Sequence, residues 1–485
     1  MADHLDPGDP GRDAAQAGAV GPVDLYAFFG RDLLGVFHPE SAGETAEGAQ
    51  ITATFEYLDA DRARQTPVSL SLPRAGDHAP GAAYAFLDNL LPDRSEVRQR
   101  WAHERDLADV DPFTLLSAYG EDVAGALSLS TDPQLPAREP EPLLEATTDD
   151  IAARVATLTR ETTSWNDPRV RPRMSLAGAQ GKFTLARIGD QWFWPTYEYP
   201  STHILKPPSR EHRRVELYEH LGLELARSVG VEAARSQVTE FGGQPTFLTE
   251  RWDRAHDERG GVRLHAEDLN QALGNPTARK YDTALVGAPQ LARLLADYGM
   301  ERRFVRQLAF NAGFGNADAH AKNYSVLLAG TQVVLAPIYD TVPTFLWPHF
   351  DQRFAMPIGK AHLPAELDEK NWRSFAHQAG IDADVVCEEA FTITARLVER
   401  YEDLFAEGGA DPTRLRAIRK RMGILRRNLP NTSTAAPTDA AAGPVRSVRA
   451  SPTRSVDLQQ SALHHPSPPP PQPQTQPQPP DSSSA

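Results

Sequence analysis

The densest group of chemically capable side chains is "GNADAHAKNYSVLL", residues 315–328. Asp318, His320, Lys322 and Asn323 fall within six residues, between an apolar helical pattern and a strand pattern. A carboxylate can orient or deprotonate a hydroxyl, and an amide oxygen can hold a divalent cation. A second acid, Asp340, closes "VVLAPIYD" one hairpin further on. Singly, these are ordinary turn-forming residues. As a set, they suit phosphoryl transfer onto a hydroxyl. A metal-dependent hydrolase built on Asp318, His320 and Asp340 is less well supported, because no H-x-x-x-H or H-x-D pair of ligands accompanies them.

The interval from Asp318 to Asn323 is D-x-x-x-x-N, the spacing of protein-kinase catalytic loops, where Asp takes the hydroxyl proton and Asn holds magnesium. Such chemistry needs a lysine on a strand of the first lobe. "THILKPP" supplies Lys206 at the end of an apolar run. A hinge strand should follow, and "TFLTERWDR" offers backbone groups at Glu250 and Trp252 for an adenine edge. Its plainer reading is a strand end with an Arg251–Asp253 surface pair, worth little. "MSLAGAQGKFTLAR", 174–187, looks like a phosphate loop but fails as a Walker A motif. Leu176 stands where the first glycine belongs, and Phe183 where a magnesium-binding hydroxyl belongs. No G-x-G-x-x-G covers the phosphates either.

These groups need elements to position them. "ITATFEYL" places Ile51, Ala53, Phe55 and Tyr57 on one face, and "VSLSL" alternates Val68, Leu70 and Leu72, so both read as strands. "AYAFLDNLL" reads as a helix ending before Pro92, and "DPFTLLSAYG" as one capped by Asp111 with Pro112 at its first turn. "KFTLARI", "THILKPP", "RSQVTEF" and "TFLTERW" are short strand patterns. They are interrupted by the helix "VELYEHLGLELARSVG", with Gly230 at its C-terminal end. Beyond 265 the patterns are mostly helical. The plan is α+β: a strand-rich N-terminal lobe, a helical C-terminal lobe, and a cleft between them. The expected divisions are a disordered 1–22, a small N-terminal subdomain 23–135, a linker 136–172, a nucleotide-binding part 173–255, a catalytic lobe 256–430 and a disordered Pro-rich tail 431–485. That tail holds 12 of the 41 prolines and no aromatic residue.

Composition bounds the partners. The chain has 485 residues and 40% hydrophobic content, enough for a large core. Its single cysteine, Cys387, excludes an internal disulfide and a cysteine-rich zinc site. No signal peptide or membrane-length apolar run is present, so a cytoplasmic protein with no membrane partner is expected. A net charge of −15 argues against wrapping nucleic acid over the whole surface. One basic run, "RLRAIRKRMGILRRN", 414–428, reads first as a solvated helix face, with a nucleic-acid contact as the sharper reading.

In chain order, "SLSLP", "FLDNLLPD", "DPFTLLSAYGEDVAGAL", "SLAGAQGK", "THILKP", "LTERWDR", "EDLNQALG" with "KYD", "NADAHAKN" and "PIYD" resemble the HipA family of serine/threonine kinase toxins from bacterial toxin–antitoxin systems. The resemblance covers roughly 23–430. It implies a protein-kinase-like two-lobe fold using ATP and Mg2+. It implies Asp318 as catalytic base, Asn323 and Asp340 as magnesium ligands, and Lys206 as the phosphate lysine. Ala177, Gly178, Ala179, Gln180, Gly181 and Lys182 would form the loop over the phosphates, and Glu250, Arg251 and Trp252 the hinge. His320, Ala321, Lys322 and Tyr339 would flank the nucleotide, and Ser175 would be autophosphorylated as an off-switch. The implied partners are a HipB-like helix-turn-helix antitoxin, DNA through that antitoxin, and an aminoacyl-tRNA synthetase as substrate. A catalytically weak corepressor is the alternative. Two positions depart from the family pattern. Gly181 replaces an acidic residue, which is expected to loosen the loop, and Val215-Glu216 replaces Asn-Glu at a helix start, which leaves the acidic partner of Lys206 open.

Overall fold

The computed structural model describes residues 23–45, 48–58, 65–135, 140–171, 173–257, 260–281 and 286–430. The expectations for 1–22 and 431–485 lie outside these residues.

The first lobe opens with β1 (Leu25–Phe29), β2 (Asp32–Thr45) and β3 (Gly48–Tyr57). On β3 the expected alternation holds: Ala53 and Phe55 are buried, Thr54 and Glu56 exposed. α1 (Ala82–Asn89), α2 (Ser95–Glu104) and α3 (Pro112–Tyr119) follow, then β4 (Leu127–Ser130), which completes an antiparallel sheet of order β3-β2-β1-β4. Asp111 caps α3 as expected, accepting from the amides of Phe113 and Thr114. "VSLSL" is not a strand. It is a turn with one bridge, Ser69 to Leu72. Leu70 N–H donates to Glu267 Oε1 at 2.8 Å, and the Ser71 hydroxyl donates to Gln271 O at 2.8 Å. The segment is therefore a seam to the second lobe.

The stretch expected to link the lobes carries a helix, α4 (Thr148–Arg160). A capping box between Thr147 and Asp150 starts it, and Ile151, Val155 and Leu158 bury its apolar face. Its Pro/Glu-rich approach hid this periodicity. β5 (Phe183–Ile188), β7 (His203–Lys206), α5 (Val215–Ser228), β8 (Ser236–Phe241) and β9 (Gln244–Glu250) match the expected strand patterns and their helix, while the short β6 (Gln191–Phe193) has no counterpart among them. The strands form one sheet of order β6-β5-β7-β9-β8. The short hairpin β10 (Arg254–Asp257) and β11 (Gly260–Arg263) comes next.

The second lobe holds β12 (Ala266–Asp268), α6 (Leu269–Ala272), α7 (Ala288–Ala296), α8 (Glu301–Phe314), β13 (Ser325–Ala329), β14 (Gln332–Leu335), α9 (Glu369–Ala379), α10 (Ala383–Glu407) and α11 (Pro412–Asn428). Its core includes Phe304, Phe314, Tyr401 and Phe405. α5 packs into this second core through Tyr218, Leu221 and Leu225. Gly222 lets it approach closely, since a Cβ there would lie 2.6 Å from Phe314 Cζ. The helix thus ties the five-stranded sheet to the second lobe. None of the described helices is long and apolar enough to cross a membrane.

Candidate active site

β7 delivers Lys206 to the cleft, and α5 meets it with an acid. Lys206 Nζ donates to Glu219 Oε1 at 2.7 Å and to Asp340 Oδ1 at 2.6 Å. Burial opposes the charge on Lys206, but Asp340 and Glu219 outweigh it and hold the ammonium protonated. The acid that pairs with the lysine is therefore Glu219. Glu216, one turn earlier on the same face, is buried; burial raises its pKa, and its Oε2 has no hydrogen-bond partner. The helix-start departure at Val215 thus leaves a lysine–acid pair intact one turn on.

Asp340 follows the β13–β14 hairpin with φ 50°, an uncommon conformation for a residue with a side chain. Burial works against its ionisation, yet Lys206 and then Lys182 hold its pKa down to about 2. Asp318 lies on the loop after α8. Tyr281 donates its hydroxyl to Asp318 Oδ1 at 3.0 Å. Asp318 is 59% exposed at the cleft surface. The cleft nevertheless desolvates it, Lys280 only partly compensates, and Asp340 adds to the effect, so its pKa rises to about 6. A carboxylate so placed is a competent proton acceptor near neutrality. His320 Nε2 lies 3.9 Å from Asp318 Oδ1. Burial, then Lys280, lowers its pKa to about 3, so its ring is neutral and less basic than Asp318.

Asn323 closes the short turn Ala321–Asn323 and donates from Nδ2 to Asp318 O at 2.7 Å, which leaves Oδ1 as its acceptor. No cluster of three or more His, Cys, Asp or Glu side chains fit to hold a metal occurs among the described residues. The site offers one ionised carboxylate and one amide oxygen, the donor set expected where magnesium takes its other ligands from phosphates and water.

The loop from Ser175 to Lys182 is folded inward. Lys182 Nζ donates to Ala177 O at 2.6 Å and lies 5.2 Å from the Trp165 ring centroid. Burial, then Lys206, lowers its pKa to about 8. Gly178 has φ 103°, and a Cβ there would lie 2.6 Å from Lys182 Nζ. Gly181 was expected to loosen the loop. Instead it is a packing glycine: a Cβ would stand 2.9 Å from Thr162 O and 3.2 Å from Leu158 Cδ1. Ser175 is fully buried, its hydroxyl donating to Leu90 O at 2.8 Å.

At the hinge, the amides of Glu250 and Arg251 are committed to Arg235 O and Thr202 O. Arg251 and Asp253 do not form a surface pair. Both are buried, Arg251 donating to Asp253 at 2.9 and 2.7 Å, to Ser201 Oγ at 2.9 Å and to Val123 O at 2.9 Å. Arg254 adds Asp122 at 3.0 Å. The Arg251 side chain thus fastens this strand end to the N-terminal lobe and is not free to reach a ligand. Trp252 stacks on Tyr339, with centroids 5.4 Å apart and planes 29° apart. The Tyr339 hydroxyl donates to Lys322 O at 2.8 Å.

A cavity of about 1170 Å³ opens beside Asp318, Asp340 and Tyr281. Ala179, Gln180, Gly181, Asp318 and Asp340 are on its walls; Glu250, Arg251 and Trp252 are not. It lies on the side of the cleft that holds the loop 179–181 and the two acids. Sequence reasoning missed Glu219, Tyr281 and Asp93 as site residues. The helix spacing from Glu216 could have pointed to Glu219. "KYD" and "LLPD" held the other two, but nothing local announced their contacts.

Residues 174–403 match the family model of the HipA-like C-terminal domain, and 23–130 that of the HipA N-terminal domain. The chain is 33% identical over 379 residues to "Putative kinase Y4mE" of Sinorhizobium fredii, covering 73% of this chain and 88% of that protein. It is 25% identical over 358 residues to the serine/threonine-protein kinase toxin HipA of Shewanella oneidensis, covering 70% of this chain and 81% of that protein. It is also similar in fold to a chain of the solved complex of the Shewanella oneidensis toxin–antitoxin system HipA, HipB and its operator DNA. The TM-score is 0.66 at 23% identity, over 84% of this chain and 97% of that one.

Proposed function

The chain belongs to the HipA family of serine/threonine kinase toxins, and from that premise we propose that it is itself an ATP- and magnesium-dependent protein kinase, the toxin of a toxin–antitoxin pair. The observation that carries this reading is the convergence of Lys206, Glu219 and Asp340 beside Asp318. Glu219 fixes the Lys206 ammonium, which is then available to the nucleotide phosphates. Asp318 orients the acceptor hydroxyl and takes its proton as the γ-phosphoryl group transfers in line. Asp340 and Asn323 would hold magnesium, which when bound neutralises charge on the phosphate oxygens. The loop 177–182 covers the phosphates, and Trp252 and Tyr339 wall the base side, where the carbonyl of Glu250 and the amide of Trp252 meet its edge.

Ser175 is the self-phosphorylation site in this reading. Its hydroxyl is sealed in the inward loop, so the loop must leave before Ser175 can react. A phosphate of about −1.5 to −2 charge would not return to that dry position, which makes the modification an off-switch. A HipB-like helix-turn-helix antitoxin is the proposed partner, supported by the solved complex of the Shewanella relative with HipB and operator DNA. DNA would be met only through that partner. The proposed substrate is an aminoacyl-tRNA synthetase.

Induced expression tests the reading. Wild type should arrest growth, and a lysate treated with the chain and labelled ATP should show a labelled protein other than the chain. Asp318→Ala should do neither. Absence of both in wild type would leave the corepressor as the better account, and both unchanged in Asp318→Ala would remove Asp318 as the base.

A further inference from the structure

One side chain of the N-terminal lobe holds two cations of the catalytic loop's surroundings. Asp93 lies between α1 and α2, at the end of "LLPD". Its Oδ1 accepts from Lys322 Nζ at 2.7 Å, and its Oδ2 accepts from Lys280 Nζ at 2.5 Å. All three side chains are largely buried, with exposures of 10% for Asp93, 3% for Lys322 and 14% for Lys280. The Asp93 amide donates to Gly178 O at 3.3 Å, so the same residue also touches the phosphate loop.

Both lysines belong to the frame around Asp318. Lys322 is four residues after it. Lys280 O accepts from the Ala321 amide at 3.2 Å, and the next residue, Tyr281, donates to Asp318 itself. Two ammonium groups this close repel one another and need a carboxylate. Asp93 gives each its own oxygen. Without it, Lys280 is left with Asp318, whose oxygens must stay free for an acceptor hydroxyl, and Lys322 with the buried Asp268.

We propose that Asp93 is a positioning residue of the phosphotransfer site, holding Lys280 and Lys322 against the N-terminal lobe so that Asp318 is left to the substrate. The inference rests on the kinase reading. It makes the N-terminal lobe part of the active site rather than an attached module. A plain inter-lobe salt bridge would give the same contacts but different kinetics.

The test uses the full chain and compares Asp93→Asn, Asp93→Glu and the double variant Asp93→Asn with Lys280→Met. Turnover, KM for ATP and melting temperature are measured for each. Asp93→Asn keeps the shape and removes the charge. It should lower kcat by about 10-fold or more with a smaller change in KM for ATP, because Lys206 and the loop 177–182 still hold the nucleotide while the groups around Asp318 are misplaced. Asp93→Glu, which restores the charge, should recover most of that loss. The double variant should turn over faster than Asp93→Asn alone. A lower melting temperature with unchanged kcat in Asp93→Asn would overturn the inference, as would equal losses in the Asn and Glu variants. Absence of transfer by the wild type would instead sink the kinase reading, and this inference with it.

Discussion

Lys206 Nζ sits 2.7 Å from Glu219 Oε1, with the lysine 7% and the glutamate 1% exposed. The pair joins the five-stranded sheet to a helix rooted in the other lobe's core, so the lysine's position reports how the lobes are set. Glu219→Gln should therefore lower turnover by about 100-fold through misplacement of Lys206. Glu216→Gln should leave turnover near wild type and raise stability, because it removes a buried carboxylate with an unpartnered oxygen. Steady-state phosphotransfer by the two variants separates these roles. Equal losses would contradict the assignment.

Gly181 is fixed by packing rather than by mobility. Gly181→Glu would drive a side chain into Thr162 O and Leu158, and should cost roughly 1–3 kcal/mol. Urea unfolding measures it; an unshifted midpoint would mean the loop does not rest inward.

Ser175→Asp places a charge where a fully buried hydroxyl meets Leu90 O. Residues 174–182 should lose protection in hydrogen exchange and kinase activity should fall, while α8 and α10 stay protected. Retained protection of the loop would contradict the off-switch.

Glu267 gives a stability test at the lobe seam. Burial raises its pKa to about 8, against hydrogen bonds from Ser69 and the Leu70 amide. An acid with a raised native pKa stabilises the fold fully below its unfolded value near 4.5, and that contribution is lost as pH climbs through about 8. Melting temperature should therefore fall between pH 5 and 8. Glu267→Gln, which keeps an acceptor for Leu70, should flatten that slope and be the more stable protein at pH 8. An unchanged slope would contradict the account.

Much of the cleft was legible because its parts are local in sequence. The spacing of Asp318, Asn323 and Asp340, and Lys206 at the end of an apolar strand, needed no tertiary information. Their neighbours did. Glu219 looks like any helix-face acid, and Asp93 meets its lysines only after the chain has passed 187 and 229 further residues. "VSLSL" alternates as a strand does, yet it bonds to the Tyr57 hydroxyl of its own lobe and to side chains and carbonyls of the other. Arg251 and Asp253 read as a surface pair because nothing local reveals that Asp122 and Val123 enclose them.

Phosphate transfer in this cleft depends, in the reading proposed above, on Asp318 as its base. The most direct measurement is intact-mass and peptide mapping of the purified chain after incubation with ATP and magnesium, wild type beside Asp318→Asn. The account predicts phosphate on the wild type at Ser175, with a rate about 10²–10⁴-fold lower for Asp318→Asn. An unmodified wild type, or equal modification of both proteins, would contradict it.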